Sequence, residues 1–92
     1  MHLNELAKCL KTIGEERRIH ILCILMKRGK LCVSDISDEL GMSIATTSHH
    51  LQVLADEGLV NAVREGKRIC YSLPKTEFVK GLQEFICAHA II

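Results

Sequence analysis

The 92-residue sequence has no tryptophan, one tyrosine and two phenylalanines. Domains that hold single-stranded nucleic acid by stacking its bases need aromatic platforms, so that class is excluded. There is one proline, Pro74, and there are no repeats or low-complexity stretches. The chain therefore has no linker and reads as a single domain spanning residues 1–92. No apolar run reaches the roughly 18 residues of a membrane span. No basic region precedes an apolar one at the N-terminus, so neither an export signal nor a membrane partner is expected, and the protein is expected to be cytoplasmic. Cys-x-x-Cys and Cys-x-x-His pairs are missing, which argues against a zinc ribbon. The five cysteines are Cys9, Cys23, Cys32, Cys70 and Cys87. An odd number without an export signal argues against a disulfide framework. A Gly-rich phosphate loop is also missing, and so short a chain leaves little room for a catalytic pocket, so an enzyme is not expected and no cofactor is implied.

What is present is a small globular composition, 48% hydrophobic and 25% charged. A core this small is marginal alone, which favours oligomerisation. The formal net charge of +1 conceals a pattern. Lys27, Arg28 and Lys30 form a basic group. Residues 31–58 carry Asp35, Asp38, Glu39, Asp56 and Glu57 without a lysine or arginine. Arg64, Lys67, Arg68 and Lys75 then outnumber Glu65. Basic patches thus bracket a helical segment, and this distribution bears more on nucleic-acid binding than the average does.

Hydrophobic spacing predicts the elements. Leu3, Leu6, Ala7 and Leu10 mark a helix over about 3–13, broken at Gly14. A second helix over 15–28 opens on Glu15 and Glu16 and closes on Lys27 and Arg28, matching the helix dipole at both ends. Its apolar face is assigned to the aliphatic part of Arg18 with Ile21, Leu22 and Leu25. Val33, Ile36 and Leu40 mark a short helix over 33–40. After the turn Gly41-Met42-Ser43, Ser43 can cap a helix over 44–57 whose inner face is Thr47, Leu51 and Leu54. Residues 60–73 alternate as two strands joined at Glu65-Gly66-Lys67. A last helix over 75–90 carries the stripe Phe78, Leu82, Phe85 and Ile86. The expected class is mainly α with a small β-hairpin, in the order of a winged helix-turn-helix.

The 44–57 helix turns small and hydroxylated side chains outward. Ser43, Ala45, Thr46 and Ser48 let a helix approach a groove closely, and His49 and Gln52 can bond base edges. Lys67 and Arg68 at the hairpin tip can reach phosphates or the minor groove. Double-stranded operator DNA is therefore the expected partner. Taken singly, each of these residues also fits an ordinary solvated surface, and the whole could serve as a protein-interaction module on the same fold.

The run Arg17-Arg18-Ile19-His20-Ile21-Leu22 and the stretch Leu31-Cys32-Val33-Ser34-Asp35-Ile36 carry a family resemblance. So do Ser48-His49-His50-Leu51-Gln52-Val53-Leu54, Glu57-Gly58-Leu59-Val60 and Arg64-Glu65-Gly66-Lys67-Arg68 before Tyr71. In this order, over nearly the whole chain, they resemble the ArsR/SmtB family of winged-helix repressors. The resemblance implies a homodimer joined through the first and last helices, paired recognition helices in successive major grooves, and repression relieved by an inducer.

The inducer has to be sought among the remaining polar residues. The arsenic type of this family has Cys-Val-Cys-Asp where this chain has Cys32-Val33-Ser34-Asp35, with Ser37 at the later position. Only Cys32 survives of that thiolate set, so an arsenic- or metal-responsive repressor using Cys32 is the alternative reading. Glu84 and His89 do not share a face of the last helix, and His49 and His50 diverge, so no other metal site is expected. Cys23 shares its helix line with Glu16, His20 and Lys27, and Cys87 with Lys80, Gln83 and Glu84. Neither cysteine is on its own helix's apolar stripe, and His20 and Lys27 would favour the Cys23 thiolate. Cys9 and Cys70 have weaker claims, Cys70 being expected on the exposed side of its strand. Ile21-Leu22-Cys23 and Phe85-Ile86-Cys87 resemble the persulfide-sensing BigR/SqrR branch. That resemblance implies reactive sulfur species as inducer and a disulfide or polysulfide bridge between Cys23 and Cys87 that releases DNA.

Overall fold

The computed structural model describes residues 1–91. Ile92, the end of the expected domain, lies outside the described residues. The elements run α1 (Leu3–Ile13), α2 (Glu16–Arg28), β1 (Leu31–Cys32), α3 (Val33–Leu40), α4 (Ile44–Asp56), β2 (Asn61–Glu65), β3 (Arg68–Ser72) and α5 (Glu77–His89). The sheet is antiparallel and ordered β1-β3-β2. A third strand therefore joins the two-strand hairpin expected from alternation. It pairs Leu31 with Tyr71 and Cys32 with Cys70. Two residues are too few to show a period, so β1 exists only through its partner.

Caps set the helix ends. Glu15 stays outside α2 because its carboxylate accepts the Arg18 backbone N–H at 3.1 Å. Likewise Thr76 accepts the Val79 N–H at 3.2 Å, which starts α5 at Glu77 rather than at residue 75. Helix α4 stops at Asp56 because Gly58, at φ 72°, lets the Leu59 N–H return to the Leu54 carbonyl at 2.9 Å. Between α3 and α4, Gly41 takes the left-handed conformation at φ 64°. Ser43 then caps α4 by accepting the Thr46 N–H at 3.1 Å. The helix-turn-helix angle is thus written into local residues.

The core sits where α2, α3, α4 and α5 converge on β3. Ile21, Leu22, Leu25, Ile36, Leu51, Leu54, Leu59 and Val79 are fully buried. Thr47 joins them, its hydroxyl donating to the Ser43 carbonyl at 2.9 Å, so the expected inner face of α4 is the observed one. Helix α2 is different. Ile21, Leu22, Cys23, Ile24 and Leu25 are all buried, because α1, α4 and α5 each pack against it. In α1 the inward residues are Cys9 and Ile13, and the expected stripe is displaced. Leu3 and Leu10 are exposed, as is Phe85 on α5. Together they leave an apolar surface that the chain does not cover itself. No described helix is long and apolar enough to cross a membrane.

Candidate DNA-reading face and sensing thiols

Helix α4 lies with one face in the core and the other in solvent. On the solvent side Ser43, Ala45, His49 and Gln52 are exposed, and Thr46 and Ser48 are half-buried. The Thr46 hydroxyl accepts from Ser43 Oγ at 2.9 Å, so this pair first serves the start of the helix. The first turn of α4 has no acidic residue, which leaves its positive dipole end free to face a phosphate. This small, uncharged, hydroxylated surface suits close approach to a duplex.

In the hairpin β2–β3, Glu65 is opposite Arg68 and the turn is Gly66-Lys67, with Gly66 at φ 63°. All of β2 is exposed, and so is Lys67. Arg68 is less free than the sequence implies. Its guanidinium donates to Asp35 at 3.1 Å and to Ser34 Oγ at 3.2 Å, which pins the hairpin to the start of α3. Lys30 pairs with Glu65 at 2.5 Å on the other side. The wing is thus laced on both sides of its turn, and Lys67 is the cation left at the tip.

A half-buried polar joint supports α4 from behind. Arg18 Nε donates to the Thr12 carbonyl at 2.6 Å, and its Nη1 lies 3.4 Å from His50 Nδ1. Glu15 Oε2 is 3.9 Å from the same ring nitrogen. Burial first, then the Arg18, His49 and Arg17 charges, hold His50 below its ordinary value against the opposing pull of Glu15. Burial works against the Glu15 carboxylate, but the backbone N–H groups of Arg18 and Arg17 outweigh it and hold this carboxyl below the usual range. A sequence cannot reveal this joint, since 32 residues separate Arg18 from His50. It carries a pH signature. A histidine whose folded pKa is depressed binds fewer protons folded than unfolded, so its contribution is complete above about pH 6.5 and lost as pH falls toward the folded value. The melting temperature is expected to drop between pH 7 and pH 5.5, and the drop should shrink in His50→Asn. An unchanged pH slope in that variant would place the acid sensitivity elsewhere.

The thiols need three corrections. First, Cys23 lies off its helix's own apolar stripe but is buried, and burial, followed by the nearby Cys87, pushes its thiol up. The expected lowering by His20 and Lys27 is overturned, because Cys23 is itself buried while those two side chains stay exposed. Second, Cys70 is fully buried rather than exposed, since β1 covers its side of β3. Third, Cys32 and Cys70 are cross-strand partners joined as a disulfide, and Cys9, Cys23 and Cys87 remain free. The odd number of cysteines did not forbid one cross-strand pair.

Cys23 and Cys87, from α2 and α5, line one surface cleft of about 370 Å³ with Met26, Lys27, Ile86 and Ala90. Cys87 is its exposed member. Cys9 is buried elsewhere, its thiol directed to Glu57 Oε2 at 3.9 Å, and burial, then the Glu57 charge, push it up. Cys32, Cys70 and Glu65 bring three ligand atoms within 4.8 Å of one another. The sequence marked only Cys32 of these as a metal ligand. Glu65 and Cys70 were missed because both depend on strand pairing.

Residues 15–62 match the model of the bacterial regulatory protein arsR family. The transcriptional activator HlyU of Vibrio cholerae is 37% identical over 94% of this chain and 84% of its own length. A homologue of the cadmium resistance regulatory protein CadC from Staphylococcus aureus is 38% identical over 92% of this chain and 69% of its own. Among solved structures, HlyU from Vibrio cholerae superposes with a TM-score of 0.83 at 32% identity, covering 97% of this chain and 98% of that one. A possible ArsR-family regulator from Mycobacterium bovis, described as a homodimeric winged helix-turn-helix DNA-binding domain, has a TM-score of 0.83 at 35% identity, covering 94% and 78%.

Proposed function

The chain belongs to the arsR family of bacterial regulatory proteins, and from this we propose that it is a homodimeric repressor released from its operator by chemistry at Cys23 and Cys87. Helix α4 reads the major groove through Ser43, Ala45, Thr46, Ser48, His49 and Gln52. Lys67 supplies a phosphate contact from the wing, and Arg68 holds the wing in place while remaining partly open to DNA. The partner copy covers α1 and α5. A nearly wholly apolar cleft of about 520 Å³, lined in part by Leu10, Phe78, Leu82 and Phe85, supports that assignment.

The observation that carries the sensing role is the shared cleft of the two thiols. Exposed Cys87 is the attacking group, in keeping with the burial of Cys23. Its thiolate takes the outer sulfur of a low-molecular-weight persulfide and becomes Cys87 persulfide, and the donor leaves as its thiol. The Cys23 thiol then attacks the Cys87 sulfur, forming the Cys23–Cys87 bond and releasing hydrogen sulfide. Transfer of further sulfane sulfur lengthens the bridge and relaxes the geometry an ordinary disulfide demands. A bridge of either kind ties α2 to α5 and so alters how the two copies hold their recognition helices.

The test is operator binding before and after treatment with glutathione persulfide, followed by peptide mass spectrometry. Cys87→Ser is expected to bind operator as wild type does and to stay bound. Cys23→Ser should carry a persulfide on Cys87 and also stay bound. Release of both variants at the wild-type persulfide concentration would overturn the assignment.

A further inference from the structure

We propose that Cys32 and Cys70, once reduced, form with Glu65 a binding site for a thiophilic divalent cation of the zinc or cadmium class. The site is separate from the Cys23–Cys87 cleft and does not rest on the sensing role given to that pair. Its three donors come from different elements. Cys32 is the N-cap residue of α3, Cys70 is central in β3, and Glu65 ends β2. Their ligand atoms lie within 4.8 Å of one another.

The surroundings prepare these groups. The Cys32 N–H donates to Asp35 Oδ2 at 3.3 Å, and the same carboxylate oxygen receives Arg68. Cys32 is therefore held between α3 and the wing. Glu65 divides its two oxygens. Oε1 faces Cys70 Sγ at 3.5 Å, and Oε2 is taken by Lys30. Lys30 thus aims the carboxylate at the sulfurs without occupying the oxygen that would bind metal, much as outer hydrogen-bond partners orient ligands in metal sites. Both sulfurs are shielded while Glu65 is exposed, so an ion enters from the carboxylate side and keeps a solvent molecule as fourth ligand.

The donor set selects the ion. Two thiolates favour a soft or borderline cation, and the carboxylate suits zinc or cadmium better than trivalent arsenic, which wants thiolates throughout. Opening the pair takes a dithiol. The Cys32–Cys70 bond breaks, each sulfur gains an electron and a proton, and the dithiol becomes its own cyclic disulfide. The cation then displaces both thiol protons to solvent. Metal–sulfur bonds of about 2.3 Å at a tetrahedral ion place the sulfurs about 3.8 Å apart, a small separation for two side chains already facing each other. The bound ion would fasten the wing to the N-cap residue of α3, the opening of the helix-turn-helix.

The full chain, reduced with a dithiol, freed of it under anaerobic conditions and titrated with cadmium, tests this through thiolate-to-metal charge-transfer absorption and a competing chelator. One cadmium per chain is expected. Cys32→Ser and Cys70→Ala should each lower affinity by more than the roughly 10- to 100-fold that supporting residues are worth. Glu65→Gln, at an exposed position that does not threaten folding, should weaken binding about 10-fold or more and keep the charge-transfer band. Cys23→Ser and Cys87→Ser should bind cadmium as wild type does. An unchanged band and affinity in Cys32→Ser and Glu65→Gln would overturn the site. So would a reduced chain that takes up no stoichiometric cadmium and merely re-forms the Cys32–Cys70 bond.

Discussion

Replacing both His49 and Gln52 with alanine is expected to leave a folded protein that has lost at least about 30-fold in operator affinity. Each side chain is exposed on α4, and apart from the tilted approach of the His49 and His50 rings at 6.1 Å alanine removes little packing. A base-edge contact is worth about 1–3 kcal/mol, so two of them at the lower limit give about 2 kcal/mol. The loss should be specific to the operator. Phosphate contacts are untouched, so the weaker binding to unrelated DNA and its salt slope should hold. Titration of labelled operator and a scrambled duplex at two salt concentrations separates these terms. Full operator affinity in the double variant would move recognition off this face of α4.

One position away, the expected effect is on folding. Leu51 precedes Gln52 and has no exposed surface. Leu51→Ala removes three buried carbons from the junction of α2, α3 and α4 and should cost about 2–5 kcal/mol. A domain of this size has roughly 5–14 kcal/mol in total, so this one change takes a large share. The melting temperature should fall by at least about 8 °C, whereas Gln52→Ala should stay within about 0.5 kcal/mol of wild type. A loss below 1 kcal/mol on chemical denaturation of Leu51→Ala would mean that the site collapses around the cavity and that α4 is not the keystone of the core.

The contrast between these neighbours was legible in the sequence, because α4 is built from local signals. Ser43 caps it, Gly41 and Gly58 bound it, and Thr47, Leu51 and Leu54 recur at helical spacing. The helix-turn-helix and the hairpin were legible for the same reason. What escaped depends on distant partners. Cys23 lies off the apolar stripe of its own helix, whose line there is polar, yet five successive buried residues in α2 require walls on several sides. Helical periodicity describes one interface, and α2 has three. Cys70 read as exposed because the strand that covers it has only two residues. Arg68 read as a free phosphate ligand because Asp35 lies 33 residues away. Charge and spacing located the candidate residues, and strand pairing decided which of them meet.

The joint at Thr12, Arg18 and His50 has a mechanical consequence. It clamps the end of α1, the start of α2 and the middle of α4 to one guanidinium. The 13 residues of α4 make a rod about 20 Å long, pivoted near its midpoint. Turning that pivot by 5° sweeps each end through about 0.9 Å, several times the few tenths of an ångström over which a hydrogen bond keeps its strength. Helix α4 therefore behaves as a lever whose fulcrum is shared with α1, and under the proposed function a small rotation of α1 is magnified into a miss at the base edges.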